Sequence, residues 1–154
     1  MDRKGEIRDL LFRVEMARKR LLRQDFTELG FTLGRGQPRI LSFLYEEDHI
    51  TQSELAKRCE LDVTTISRTL DKMVGAGWIR RLAKPGCRRS VLIEITEEGR
   101  KKAEAVRVLF ARVDDRIWED FTEEEMEGIR QGLRKIYKNL CREEEVPGHN
   151  EPVS

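Results

Sequence analysis

Along residues 6–29 the apolar side chains Ile7, Leu10, Leu11, Val14, Ala17 and Leu21 return every three or four positions among arginines and lysines, the spacing of one long amphipathic helix. Gly30, Gly34 and Gly36 break that rhythm. A shorter helix is expected to start at Gln37 and Pro38, because a proline in the first turn gives up an N–H that has no partner inside the helix anyway. Ile40, Leu41, Phe43 and Leu44 supply its inward face. Thr51 and Glu54 have the spacing of a reciprocal capping box, and Leu55, Ala56 and Cys59 follow on one side of a short helix. Asp62 is the N-cap expected for the next helix. In it Ile66, Leu70, Met73 and Val74 turn inward, Thr64, Thr65, Arg68, Thr69 and Lys72 turn outward, and Ser67 lies at the edge.

Gly75 and Gly77 end that helix, residues 78–82 read as a strand, residues 84–89 as a turn, and Val91, Ile93 and Ile95 alternate as a returning strand. Thr96 then caps a long helix with a stripe of Ala103, Val106, Phe110, Val113 and Ile117. Thr122 and Glu125 form a second capping box, followed by a stripe of Met126, Ile129, Leu133, Ile136 and Leu140. Stripes of this kind are packing seams. The succession predicts a mainly α chain with a small β-wing. Residues 1–142 are expected to form a single domain, with a winged helix-turn-helix at 36–96 and dimerisation helices at 6–30 and 97–142. Residues 143–154, which hold two prolines and an acidic start, are expected to be a disordered tail.

Charge sharpens this picture. The 154 residues sum to +1, yet residues 62–90 carry seven cations against two acids, the footprint of a nucleic-acid surface. Residues 114–128 carry eight acids and one cation, so that end should face away from DNA. Only 38% of the chain is hydrophobic and 38% is charged, too thin an apolar supply for one subunit to cover both long seams. The seams are therefore expected to intertwine in a two-fold homodimer that presents its recognition helices about 34 Å apart, one turn of DNA.

Several classes fall away. No apolar run nears the roughly 18 residues of a membrane span, and the first residues lack the apolar core of a signal peptide, so a cytoplasmic protein is expected. Cys59, Cys87 and Cys141 include no C-x-x-C, and His49 and His149 are the histidines present, so neither a disulfide framework nor a metal site is indicated. With no Ser/His/Asp set, metal-ligand cluster or glycine-rich phosphate loop, no enzyme activity and no cofactor are expected.

The chemistry that remains is double-stranded DNA recognition. Thr64, Thr65 and Ser67 are small enough to let a helix approach base edges, while Arg68 can fork onto guanine O6 and N7. Lys72 on the same helix, Gln52 and Ser53 at the head of the preceding one, and Lys84, Arg88 and Arg89 on the wing complete the candidate surface. Arg35 and Arg39 stand as further phosphate contacts.

The motifs T-x-x-E-L-A at 51–56, T-I-S-R-T-L-D at 65–71, G-W-I-R-R at 77–81 and I-T-E-E-G at 95–99 resemble those of the MarR family of winged helix-turn-helix transcription regulators. The similarity runs from about residue 6 to residue 141. It implies a repressor released by an effector, with Ser67 and Arg68 at bases, Arg89 in the minor groove, and the first, fifth and sixth helices building a triangular dimer. It also implies an effector crevice between dimer helices and winged domain, for which Phe12, Phe43, Arg107 and Phe110 are candidate lining residues by placement. One departure stands out: the family usually has an acid two residues before the wing arginine, and this chain has Cys87. A neutral replacement is the plainer reading of Cys87. A thiol sensor activated by the neighbouring arginines is the alternative. A winged helix used for protein interaction is a further one, since fold does not fix function.

Overall fold

In the computed structural model, which describes residues 2–31 and 36–142 apart from the side chain of Arg88, the first helix α1 (Arg3–Glu28) is 26 residues long. Asp2 caps it by accepting from the Gly5 N–H at 2.7 Å. Gly34, Arg35 and the tail at 143–154 lie outside the described residues. Helix α2 (Gln37–Glu46) starts with Pro38 in its first turn as expected, and Ile40, Leu41 and Leu44 are wholly buried. Each such side chain contributes about 1.5–3 kcal/mol of burial.

Strand β1 (Ile50–Thr51) leads directly into α3 (Gln52–Arg58). Thr51 accepts from the Glu54 N–H at 3.1 Å, but the Glu54 carboxylate turns to Arg58 one helical turn on, so the expected box is half made. Asp62 caps α4 (Val63–Gly75), accepting from both the Thr65 N–H at 2.7 Å and the Thr65 hydroxyl at 3.0 Å.

Two positions of α4 correct the expectation. Thr69 is buried rather than outward, its hydroxyl donating to the Thr65 carbonyl at 2.8 Å, which satisfies its polar atom inside the core. Val74, expected inward, is 38% exposed.

Strands β2 (Ile79–Lys84) and β3 (Cys87–Ile95) pair antiparallel, with Ile79 opposite Ile95 and Lys84 opposite Cys87. The sheet order is β1-β3-β2. The wing turn is therefore two residues, Pro85 and Gly86, and not the six expected, because residues 87–89 extend the strand. Proline fixes φ at the first turn position and Gly86 takes a φ of +78° at the second, the requirement of a type II turn.

Helix α5 (Glu97–Ile117) closes the winged core. Thr96 caps it at the Gly99 N–H, and its hydroxyl donates to the Gly77 carbonyl at 2.6 Å. Asp48 ties β1 to the same corner by accepting from the Ile95 N–H at 2.9 Å and from Arg100 at 3.2 Å. Trp78 sits beneath, edge-on to Phe31 at 5.2 Å, with Lys102 of α5 over its ring at 5.6 Å and donating to the Leu29 carbonyl.

The chain divides into two units, Met1–Asp115 and Arg116–Ser154. In the second, Trp118 and Phe121 meet edge-on at 5.5 Å, and Thr122 and Glu125 make both bonds of the expected capping box at the head of α6 (Glu123–Leu140). Arg130 and Gln131 bond the Glu127 carboxylate and hold it down at about 2.

Gly99 generates a sharp expectation, because a Cβ there would stand 2.1 Å from the Trp78 carbonyl oxygen and 2.8 Å from Ile95 Cγ1. Gly99→Ala should lower the stability of the fold by about 1–3 kcal/mol despite alanine's better helix propensity, read as a lower urea midpoint. Gly75→Ala, where an added Cβ meets nothing within 4 Å, should lose none.

Candidate nucleic-acid interface

Helix α4 presents Thr64, Arg68 and Lys72 to solvent, with Thr65 and Ser67 half-buried beside them. Its inner side is anchored by Ile66, Leu70 and Met73, each at most 1% exposed, so the outer residues project from a fixed helix. The wing carries Lys84 and Arg89, both exposed, at the two sides of its tip. The side chain of Arg88 lies outside the described residues.

Not all of the local cations are free. Arg81 reaches from β2 to α4, pairing with Asp71 at 2.6 Å and donating to the Ser67 carbonyl at 3.2 Å. Arg80 pairs across the ladder with Glu94 at 3.4 Å, and Glu94 also meets His49 at 2.9 Å. Two of the seven cations counted in the sequence therefore serve the fold. By contrast Arg68, Lys72, Lys84 and Arg89 make no ion pair among the described residues, so their charge is available to a partner.

A groove of about 780 Å³ runs between α3, the head of α4 and β3, and brings Gln52 and Ser53 together with Arg89. Lys57 lines it too. Sequence reasoning passed over Lys57, although its place four residues after Ser53 on a helix puts the two on one face. The linking role of Arg81 was also missed, since nothing local in the sequence sets it opposite Asp71.

Arg39 stands apart from that groove. It lines a crevice of about 520 Å³ with Arg18, Lys19, Arg23, Phe26 and Phe110, bounded also by Glu15, Leu22, Phe31, Gly36 and Pro38. Phe43 and Phe110 share a smaller hollow next to it. Phe110 packs edge-on against Phe26 at 5.9 Å as part of the winged unit, so it is no exposed seam residue. The structure does not bring Phe12 to the crevice: it is 65% exposed and sits in a shallow hollow on α1. Arg107 is engaged elsewhere, with Glu46 at 3.0 Å and over the Tyr45 ring at 4.9 Å.

The cysteines separate by environment. Burial pushes the Cys59 thiol up to about 11, as befits its inward position. Cys87 is exposed and its thiol lies below the ordinary value, first because of the Ser90 hydroxyl 3.4 Å away, then the backbone N–H groups of Arg89 and Ser90, and least the charge of Lys84. The expected cause was side-chain charge from the flanking arginines; for Arg89 the contribution is through the backbone.

A three-helix core ending in a basic helix, followed by a two-stranded wing, defines a winged helix-turn-helix protein. The pattern of the MarR family matches residues 33–91. The chain is 31% identical over 119 residues to the uncharacterized HTH-type transcriptional regulator YybA of Bacillus subtilis (77% of this chain, 78% of that protein). It is 27% identical over 128 residues to the multiple antibiotic resistance protein MarR of Escherichia coli (82% and 88%). Other relatives are spanned less fully, down to 55% of their length. Among solved structures, the complex of S. aureus MepR with DNA superposes at a TM-score of 0.78 with 26% identity, covering 86% of this chain and 97% of that one. The chain belongs to the MarR family, whose members are transcription regulators and not enzymes. Among the described residues no helix is long and apolar enough to cross a membrane.

The thiols offer a direct check. In a Cys141→Ser background at pH 8, a small alkylating reagent should label Cys87 promptly and leave Cys59 until the protein unfolds. Because folding raises the Cys59 thiol above its ordinary 9.0, the neutral thiol favours the folded state fully below that pH, and this contribution fades as pH climbs toward about 11. Denaturation measured across that alkaline window should show the fall, and Cys59→Ala should flatten it.

Proposed function

We propose that the protein is a homodimeric repressor that binds a pseudo-palindromic operator and is released by a small effector. The observation that carries the DNA reading is that four cations of α4 and the wing, Arg68, Lys72, Lys84 and Arg89, are exposed side by side on one stretch of chain and make no ion pair among the described residues, whereas Arg80 and Arg81 of the same stretch serve the fold. In this reading Ser67 and Arg68 meet base edges in the major groove, Thr64, Thr65 and Lys72 flank them, and Gln52, Ser53 and Lys84 position the phosphate backbone. Arg88 joins them at the wing, and Arg89 enters the minor groove.

Dimerisation is supported by two uncovered apolar stripes. Ile7, Leu10, Leu11, Val14 and Leu21 on α1, and Ile129, Leu133, Ile136 and Leu140 on α6, are each more than a third exposed. Faces of this extent mark an interaction surface. An operator that overlaps a promoter would be closed to other proteins while occupied, which is the route to repression in this reading.

The crevice by Arg39 has the makings of the effector site. Its aromatic floor of Phe26, Phe31 and Phe110 lies beneath Arg23 and Arg39, which make no ion pair among the described residues, while Arg18 and Lys19 are paired with Glu15 on the same wall, and the combination suits a small anion with an apolar body. Arg39 then belongs with the effector, and its assignment to phosphate is the second use of the same exposed side chain.

Selection of bound sequences from random duplexes tests the regulator reading, with a two-fold related motif expected. On the selected operator, Arg68→Ala should weaken binding by about 1–3 kcal/mol and relax preference at one base pair per half-site. Arg89→Ala should instead lower the dependence of log affinity on log salt by about one unit. Equal loss for Arg68→Ala on every duplex would make it a phosphate contact. Sedimentation should give a dimer whose melting temperature rises with protein concentration, and a well-folded monomer at micromolar concentration would overturn the dimer.

A further inference from the structure

Among the described residues of the helix-turn-helix and wing, at 36–96, the large apolar side chains more than a third exposed are Val63 and Val74. Val74 is only just so, at 38%, and lies at the far end of α4 beside Ile79, Leu82 and Glu98. Val63 is 79% exposed at the first position of α4, immediately after the Asp62 cap. A single exposed valine is ordinary on a protein surface; this one stands where the recognition helix meets its target.

Its placement is specific. Val63 precedes Ser67 by four residues, so the two share a face of α4, and it lines the groove that also holds Gln52, Ser53 and Arg89. The Asp62 carboxylate, bonded twice to Thr65, fixes the first turn and with it the direction in which Val63 projects. A β-branched side chain has one strongly preferred χ1 in a helix, so little freedom is lost when it is covered. The hydroxyls of Thr64 and Ser67 and the guanidinium of Arg68 can read polar base edges. Thymine also presents a C5-methyl in the major groove, for which an apolar partner is needed.

We infer that Val63 is a specificity-determining residue of the operator complex, its isopropyl group packing on the C5-methyl of one thymine in each half-site. This rests on the reading of α4 as the recognition helix and adds a base preference to it.

The test uses the full chain and the operator selected from random duplexes, with each thymine replaced in turn by deoxyuridine, which removes only the methyl. Wild type should bind roughly three- to fivefold less tightly per half-site at one thymine, the size of one methyl group's burial. Val63→Ala, a change at a solvent-facing position that leaves the core untouched, should lose the same factor on the thymine operator and nothing more on the deoxyuridine one. An equal deoxyuridine penalty in both proteins would assign the methyl to another residue and overturn the inference. So would the absence of any deoxyuridine effect. If the wild type selects no duplex at all, the DNA reading itself fails and the thymine contact with it, an outcome distinct from operator binding that ignores the methyl.

Discussion

The winged unit turns on the approach of Gly99 to the Trp78 carbonyl. That oxygen accepts from the Thr96 N–H at 3.0 Å while the Thr96 hydroxyl donates to the Gly77 carbonyl, so the exit of α4, the start of β2, the end of β3 and the start of α5 meet within one turn of chain. Only a residue without a Cβ allows the helix to lie this close. From this corner the wing extends one way and α5 the other. The Trp78 ring fills the space between Phe31 and Lys102, which fastens the end of α1 to the same point. The orientation of α4 against the wing and α5 is therefore set by backbone contacts that a side-chain substitution elsewhere does not easily move.

On that frame the charges divide by role. Arg81 spends its guanidinium on Asp71 and on the Ser67 carbonyl, which fixes the root of the wing to the middle of α4. As a partly exposed pair it contributes little to stability, on the order of 1 kcal/mol or less. Its value lies in registering helix and wing, the two elements that in the proposed complex would enter adjacent grooves of one duplex. Within residues 62–90 the described cations that make no ion pair are those at the α4 surface and the wing tip, Arg68, Lys72, Lys84 and Arg89, where phosphates would replace water.

Much of this was legible in the sequence because caps and periodicity are local. Asp62, Thr96 and Thr122 cap where their spacing said they would, and the buried faces of α2 and α3 follow the apolar pattern. Thr69 was misread because its residue type suggested solvent. On the helix it falls three residues after Ile66 and four before Met73, and bonding to the carbonyl one turn back lets a threonine sit there as if apolar. Val74 failed for the opposite reason, lying at the margin of the stripe. The wing turn shrank from six residues to two because Pro85 and Gly86 alone satisfy a type II turn, leaving residues 87–89 free to pair or extend as strand. Contacts across the fold, such as Arg81 to Asp71 or Phe26 to Phe110, had no local signature at all.

The same long-range contacts suggest how an effector in the proposed crevice would be felt at DNA. The crevice is built from α1 through Phe26, from the head of α2 through Pro38 and Arg39, and from α5 through Phe110. Helix α1 carries its own uncovered apolar stripe and α5 leads back to the Trp78 corner, whereas α2 packs through Ile40, Leu41 and Leu44 into the helix-turn-helix core. A ligand held between Arg23 of α1 and Arg39 of α2 would thus bridge a helix that carries one of the uncovered apolar stripes and the element that supports α4. Close-packed cores transmit small displacements without absorbing them, so in the proposed dimer a shift between α1 and α2 would change the separation of the two copies of α4 with nothing at the DNA surface altered. The DNA contacts and the proposed effector contacts can then vary independently, which is what a regulator needs if one operator-reading surface is to answer to different signals.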